Sequence, residues 1–474
     1  MLRRAVETVP GSHQRERTGN RRPRPVSRNS VIAGGRALAV LFLAAVAAFC
    51  VMTVPALAGE EAPIPSAPPI RPLDFRTLVE MAIENSPYLK SASIEVRIKK
   101  LDETDAWYSY FPEIHINGRV GDDSSVFIRT NQYNPLISHI SYKARQMIST
   151  ITGLVRLKVI DGGIQTLGSQ IIRLKQIDEV MELQDELIEV TRKGLDYARR
   201  MDKFGETVFL QVKLAEKELA LEQSKRLEMD AARAGVMESI KSFLGLGDTE
   251  PLELDLETAQ RQILTEQPLD NISFEEIKSA SLDLKIDRIQ QTLQKNRVKL
   301  AYAEYVPKMS LAFGDSDSML GGGDSGGFEV GLVFHMPLWD GLSRYRNIER
   351  QRLLQKKSEN ESDVRKMQME LEYRQLMRRL ASIDRQLELA AGSCDLAGER
   401  AKAADLQFKS GIGTYPDYLE SLADSIRAKQ ELAQKMGDKN GVRLRIRQLS
   451  GGLIKDFVPA VEIRELTTDE GGDE

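Results

Sequence analysis

The sequence predicts a mixed, mainly α fold, in which long coiled-coil-like helices are joined to four short antiparallel strands. Three observations carry that expectation. Apolar residues recur at spacings of three and four over very long stretches. The period falls to two just after Phe111-Pro112 and again after Val306-Pro307. The same order of segments then occurs twice, the mark of an internal repeat.

A helix is expected from Asp74, because Leu78, Ile83, Leu89, Ile94, Ile98 and Leu101 sit among charged residues at helical spacing. Pro112 stops it, having no N–H to donate and a ring that clashes with the preceding turn. Ile114, Ile116 and Val120 then alternate with His115, Asn117 and Arg119 as a strand. After a polar loop, Ile151, Val155, Leu157 and Val159 read as a second strand closed by Asp161-Gly162-Gly163. A long helix follows to Met201, breaks near Lys203 to Thr207, and resumes to Leu244.

The second unit repeats this plan. A helix from Phe274 to Tyr305 halts at Val306-Pro307, and Met309, Leu311 and Phe313 alternate with Lys308, Ser310 and Ala312. A Gly/Asp/Ser loop over 314–327 leads to Phe328, Val330, Leu332, Phe334 and Met336, alternating with Glu329, Gly331, Val333 and His335. Past Leu338-Trp339-Asp340-Gly341 a helix runs to a break at Gly411 to Thr414 and resumes to Leu449. The expected boundaries are a signal segment 1–58, a Pro-rich spacer 59–72, a first unit 73–250, a linker 251–272, a second unit 273–452 and an acidic tail 453–474.

Leu376, Leu380, Ile383, Leu387, Ala390, Cys394, Ala397, Ala401, Ala404 and Phe408 form an unbroken heptad seam. In the first unit two offset seams run side by side, one through Leu174, Ile177 and Met181, the other through Val180, Leu183 and Leu187. Two seams call for neighbours on both sides, as in a cylinder of helices; an antiparallel hairpin is the alternative. Gly341 to Gly411 is about 70 residues, or roughly 105 Å of helix at 1.5 Å per residue, more than a compact core needs.

Composition removes several function classes. The chain has 474 residues with 66 basic, 70 acidic and only four His and two Cys. Nine Arg and two acidic residues lie in the first 58, so the rest carries 57 basic and 68 acidic residues, about −11. A polyanion ligand needs the opposite field. No CxxC or HExxH occurs, and no Ser, Cys or carboxylate motif accompanies His13, His115, His139 (expected in a loop) or His335, so neither catalysis nor a metal or cofactor is expected. The Arg-rich start, the apolar run Ala37 to Val54 and the Ala-Leu-Ala sequence before Gly59 predict a secretory signal cut between Ala58 and Gly59. An uncleaved anchor is the other reading of that run.

Four amphiphilic strands with no globular segment to cover them suit lipid on one face, with Phe328, Val330, Leu332, Phe334 and Met336 as the lipid-facing positions. Four strands leave two unpaired edges, which are costly in lipid. Three copies give twelve strands and close a barrel.

With these features assembled, the chain resembles the TolC-like outer-membrane efflux family. The resemblance rests on Leu78 to Pro87 (LVEMAIENSP), Phe111-Pro112 and Val306-Pro307 before strands, Ile160-Asp161-Gly162-Gly163 and Leu338-Trp339-Asp340-Gly341 after them, and Gly411 to Glu420 (GIGTYPDYLE). It implies a homotrimer with a twelve-stranded outer-membrane barrel and an α-helical tunnel through the periplasm. It also implies a periplasmic adaptor and an inner-membrane pump as partners in exporting small molecules or proteins. By the same resemblance, Phe204, Gly205, Glu206 and Thr207 and the matching Gly411, Ile412, Gly413 and Thr414 are hairpin tips for adaptor docking. Asp417 and Glu420 match the family's acidic entrance ring; a solvated pair favoured by the helix dipole is the plainer alternative. Val208 and Gln211 stand at the matching first-unit positions. Asp161 to Gly205 spans about 44 residues against about 71 for Asp340 to Gly411, which leaves either a misplaced boundary or an atypical tunnel. A periplasmic HlyD-like adaptor, held by an uncleaved Ala37–Val54 helix, is the competing arrangement, and it calls for one hairpin between β-rich segments.

Overall fold

The computed structural model describes residues 72–119, 125–205, 209–247, 249–264, 273–315, 328–336 and 338–459. The expected signal segment with its expected Ala58-Gly59 cleavage site, and the spacer as far as residue 71, lie outside the described residues.

In chain order the elements are α1 (Phe75–Asn85), α2 (Pro87–Tyr108), β1 (Ile114–Arg119), β2 (Ser125–Thr130), α3 (Pro135–Lys203), α4 (Phe209–Leu244) and α5 (Leu256–Leu264). The second unit supplies α6 (Phe274–Ala280), α7 (Leu282–Ala303), β3 (Lys308–Asp315), β4 (Phe328–His335), α8 (Ser343–Lys409), α9 (Tyr415–Leu449) and α10 (Gly452–Phe457). Among the described residues the four strands form one antiparallel sheet in the order β1-β2-β3-β4. Thr130 pins its centre, its hydroxyl accepting from Leu311 N at 2.7 Å and donating to Leu311 O at 3.3 Å.

One expectation is overturned. Ile151 to Val159 lies inside α3, and β2 is the segment Ser125–Thr130 that read as loop. The buried residues Leu154, Leu157, Ile160, Ile164, Leu167 and Ile171 recur at three and four, whereas Val155, which suggested alternation, is exposed. Asp161-Gly162-Gly163 therefore ends no strand. A Cβ on Gly163 would meet the Phe243 ring at 2.9 Å, so that glycine permits close approach of α3 and α4. His139 likewise sits in the first turns of α3, with the Tyr110 hydroxyl 2.8 Å from its Nδ1. The apparent difference between the two units disappears with the boundary: α3 has 69 residues and α8 has 67. Asn134, whose side chain accepts from Leu136 N and Ile137 N, is the N-cap that starts α3 after β2.

Near the sheet, α3 lies between α2 and α7, and α7 also packs on α8. Farther from it, α3 lies between α4 and α9, and α9 packs on α8. The two seams of α3 thus have partners on both sides. The α8 seam closes on α9, with Leu380 and Ile383 against Val442 and Ile446. Cys394 is half-buried within it as a free thiol.

Where the two levels meet, short elements thicken the wall. Phe75 and Leu78 of α1, Ile160 and Leu167 of α3, Ile240 and Leu244 of α4, and Ala259 and Ile263 of α5 share one core. The segment expected to be a plain linker is therefore structural. Leu73 pairs with Leu254 as a parallel bridge, Gln262 Nε2 donates to the Asp74 carboxylate at 2.9 Å, and Ile263 is fully buried. Burying an isoleucine is worth roughly 1.5–3 kcal/mol. The start of the expected tail also folds, because α10 brings Phe457 edge-on to Phe75 at 4.9 Å. Residues 460–474 lie outside the described residues.

A buried polar chain ties three long helices. Gln184 Nε2 donates to Glu222 Oε2 at 2.7 Å and to Glu222 O at 3.0 Å, while Gln430 Nε2 donates to Gln184 Oε1 at 2.9 Å. Burial pushes the Glu222 carboxyl up, but the bonds from Gln184 and Lys225 outweigh it and the net shift is downward. Such a chain penalises sliding of α4 and α9 along α3, since any slip strands buried polar atoms. Glu222→Ala is expected to cost about 2 kcal/mol in denaturant unfolding, and Glu222→Gln clearly less, because Gln still offers Gln184 an acceptor. Equal losses in the two variants would remove the network from the account.

Candidate functional site: hairpin tips and open edges

Both long hairpins turn on a glycine in the left-handed region. Gly411 has φ 76°, Ile412 N bonds Gln407 O at 3.0 Å and Gly411 N bonds Phe408 O at 3.0 Å, a Schellman arrangement that uses the last free carbonyls of α8. Gly205, with φ 75°, ends α3, its N–H bonding Asp202 O at 3.0 Å. Neither glycine has an atom within 4 Å of the position its Cβ would take, so backbone conformation alone calls for glycine there. The bulkiest side chains at the two turns, Phe204 and Ile412, are 78 % and 83 % exposed. Gly413 and Thr414 complete the second turn, whereas Glu206 and Thr207 lie outside the described residues.

Asp417 and Glu420 are both exposed on the first turns of α9, and Leu419, Ala423 and Ile426 carry its packed side. Asp417 also serves locally. The Thr414 hydroxyl donates to its Oδ2 at 2.5 Å and accepts from its N–H at 3.3 Å, which is how α9 begins. The Glu420 carboxylate has no such role. The same face holds Asp424, one more turn on, which Arg427 holds at 3.2 Å; the i,i+4 spacing from Glu420 could have found it in the sequence.

What sequence reasoning missed is the aromatic clasp behind the tip. Tyr415 lies 5.3 Å from Tyr197 and 5.1 Å from Phe408, and Phe408 stacks on Tyr418 at 6.0 Å and 7°. It joins the tip ends of α3, α8 and α9. Phe408 was legible as a seam position, but nothing in one-dimensional spacing says that it converges with Tyr197 and Tyr415.

The second feature of the site is its unpartnered edges. β1 and β4 end the sheet, each with one side unpaired among the described residues. The helices below them are bare in the same sense. On α2, Ile94, Ile98, Leu101 and Tyr108 recur at helical spacing and are exposed, Leu101 by 65 %. On α8, Leu353, Val364, Met367 and Leu371 form a second seam opposite the α7/α9 contact, with Met367 69 % exposed. On α4, Leu210, Leu214 and Leu221 are exposed as well. One edge is thus α2, β1 and α4; the other is β4 and α8. Of the positions expected to face lipid, Leu332, Phe334 and Met336 are exposed, while the side chains of Phe328 and Val330 lie outside the described residues.

No family model and no curated protein sequence matches the chain. Solved structures do. The outer membrane protein VceC of Vibrio cholerae matches with TM-score 0.65 at 12 % identity, over 80 % of this chain and 96 % of that one. The CmeC outer membrane channel of Campylobacter jejuni matches with TM-score 0.68 at 16 % identity, over 83 % and 89 %. The open-state MtrE outer membrane channel of Neisseria gonorrhoeae matches with TM-score 0.66 at 14 % identity, over 81 % and 91 %. The chain therefore has the fold of the TolC-like outer-membrane channels.

Proposed function

We propose that this chain is one third of an outer-membrane channel whose helices continue the pore across the periplasm, within a tripartite efflux or type I secretion system. The observation that supports this best is the pairing of edges. A free strand edge with a bare apolar helix seam below it stands on one side, and the same pair stands on the other. Two different edges that fit each other make a head-to-tail contact, which closes when rotation returns to the start. Three copies close twelve strands, and twelve suits a conduit where eight would fill with side chains. Among the described residues no helix is long and apolar enough to cross a membrane, so membrane residence falls to the strands. The signal segment delivers the chain to the envelope.

In this reading Phe204 and Ile412 meet a periplasmic adaptor that links the channel to an inner-membrane pump. The cargo is small molecules or proteins, and no cofactor takes part. The HlyD-like arrangement fits less well, because the described residues form two long hairpins and one sheet rather than one hairpin between β-rich parts.

Six carboxylates from Asp417 and Glu420 of three copies would ring the tip and favour cations in a narrow bore. Single-channel recordings of the purified protein in planar bilayers test this. Wild type is expected to conduct with cation preference, and Asp417→Asn with Glu420→Gln to lose it. Because Asp417 also starts α9, Glu420→Gln alone is the cleaner probe. A preference untouched by either change would leave the pair a helix-start feature.

A further inference from the structure

We propose that the sheet-proximal outer face of α7 and α8 docks anionic phospholipid headgroups; this rests on the outer-membrane reading above. The first 15 residues of α8 carry six bases (Arg344, Arg346, Arg350, Arg352, Lys356 and Lys357) and one acid, Glu349. Cations are disfavoured at a helix start, and the first turn of α8 holds no acidic residue to balance them. Asp340, just before the helix, pairs with Arg344, and Glu361 with Lys357, which leaves Arg352 and Lys356 without a carboxylate of their own.

The bases divide by direction. Arg346 shares the edge seam with Leu353, facing away from the α7/α9 contact. Tyr345, Arg352 and Lys356 instead follow one another at seven and four, on a stripe about a quarter-turn from that seam. On α7, Lys295, Lys299 and Tyr302 follow at four and three. The two stripes meet, because the Arg352 guanidinium lies 5.7 Å from the Tyr302 ring centroid and donates to its hydroxyl. None of Lys295, Lys299, Arg352 and Lys356 has an ion-pair partner among the described residues.

Chirality tells which way this joint face points. Met309 N and O both bond to Tyr133, so the backbone polar groups of Met309 point toward β2. With Met309 on the lipid side of an ascending β3, L-residue geometry puts β2 to the right and β4 to the left, seen from outside. On right-handed α7 and α8 below them, with their mutual contact fixed, the Lys299–Tyr302 and Tyr345–Arg352 stripes then face outward. Neither faces the bore.

Depth agrees as well. At 1.5 Å per residue these side chains start about 2–20 Å below the sheet-proximal ends of α7 and α8. That range covers the headgroup layer, roughly 5–8 Å thick, and about one Debye length beyond it. Tyrosine and long cations suit that layer, with an apolar body and a polar end. The first unit serves as an internal control. With α2 set against α7 and α3 against α8 from their first residues, Lys299, Arg352 and Lys356 correspond to Thr104, Ala144 and Ile148, and only Lys295 has a basic counterpart, Lys100. The scaffold itself does not require the charge.

The test uses the full processed protein in detergent, with apparent affinities for phosphatidylglycerol and phosphatidylcholine measured by native mass spectrometry. Wild type is expected to prefer phosphatidylglycerol, with the preference fading as salt rises. Lys299→Gln, Arg352→Gln and Lys356→Gln together should lower that affinity on the order of a hundredfold, about fivefold per lost cation, and leave phosphatidylcholine unchanged. The single changes should give graded losses, which separates charge from misfolding. Equal affinity for the two lipids, or a triple variant that binds like wild type, overturns the proposal. So does a triple variant that falls to monomers, since the face would then be a contact between copies. Conductance in phosphatidylcholine bilayers is recorded alongside: if wild type forms no channel there, the channel reading fails, whatever the lipid result.

Discussion

Leu353→Asp, Met367→Asp and Leu371→Asp together are expected to leave the protein as helical monomers. These side chains lie on the exposed seam of α8, remote from its contacts with α7 and α9, so the fold of one chain loses little. Between copies the arithmetic differs. Each apolar side chain that docks is worth roughly 1.5–3 kcal/mol, and a carboxylate buried without a partner adds a further penalty. A closed ring repeats that loss at three interfaces, which exceeds what a few rim contacts can restore. Sedimentation of the detergent-held protein reads the mass, and far-ultraviolet circular dichroism reads the helix content. A trimer that survives all three changes would contradict the matched-edge account and the twelve-strand count with it. Monomers with lost helix content would mean that the seam belongs to the fold of the single chain.

The long helices, their breaks and three of the four strands were legible because each rests on local spacing. The α8 seam from Leu376 to Ala404 needed only heptad arithmetic, and Gly205 and Gly411 announced the turns. The misplaced strand shows the limit. Between Ile151 and Ile172 apolar residues are dense enough to satisfy both a period of two and one of 3.6, and only burial separates them. Ser125–Thr130 has six residues and pairs with a strand 181 positions away through Thr130 and Leu311, so its support is non-local. The segment around α5 failed for another reason. Nine residues carry too few turns to show a period, and Ile263 and Ala259 have meaning only once Phe75 and Leu444 surround them. The tip residues were legible as turns, but the aromatic clasp behind them was not, because Tyr197, Phe408 and Tyr415 come from three different helices.

Asp161→Asn is expected to stabilise the protein at neutral pH and to flatten part of its pH dependence. Asp161 sits on α3 beside a cavity of about 450 Å³ where α7, α8 and α9 converge. Burial pushes its carboxyl up to about 6; a hydrogen bond with Gln448 and the charge of Arg445 resist, while Asp283 adds to the rise. Its neighbours are already engaged. Arg445 bonds Glu372 at 2.6 and 2.9 Å and Gln448 Oε1 at 2.5 Å, and Lys158 pairs with Asp283 at 2.5 Å. Arg365, on the rim, holds Asp287 at 2.9 Å, and Asp161 Oδ1 is left without a partner. Between the ordinary value of 3.8 and about 6 the folded chain keeps a proton that the unfolded chain has released. Stability therefore falls as pH rises through that window, by on the order of 3 kcal/mol once both states are ionised. Asp340 works in the opposite sense: hydrogen bonds led by the Arg344 side chain hold it down at about 2, so its contribution is lost only in strong acid. The difference between variant and wild type isolates Asp161 from such opposing groups. Denaturant midpoints at pH 4.5 and 7.5 should rise for Asp161→Asn mainly at the higher pH. A variant that tracks wild type at both values would mean that water enters the cavity and solvates the carboxylate, and that α3 carries no buried charge at the level where its neighbours change.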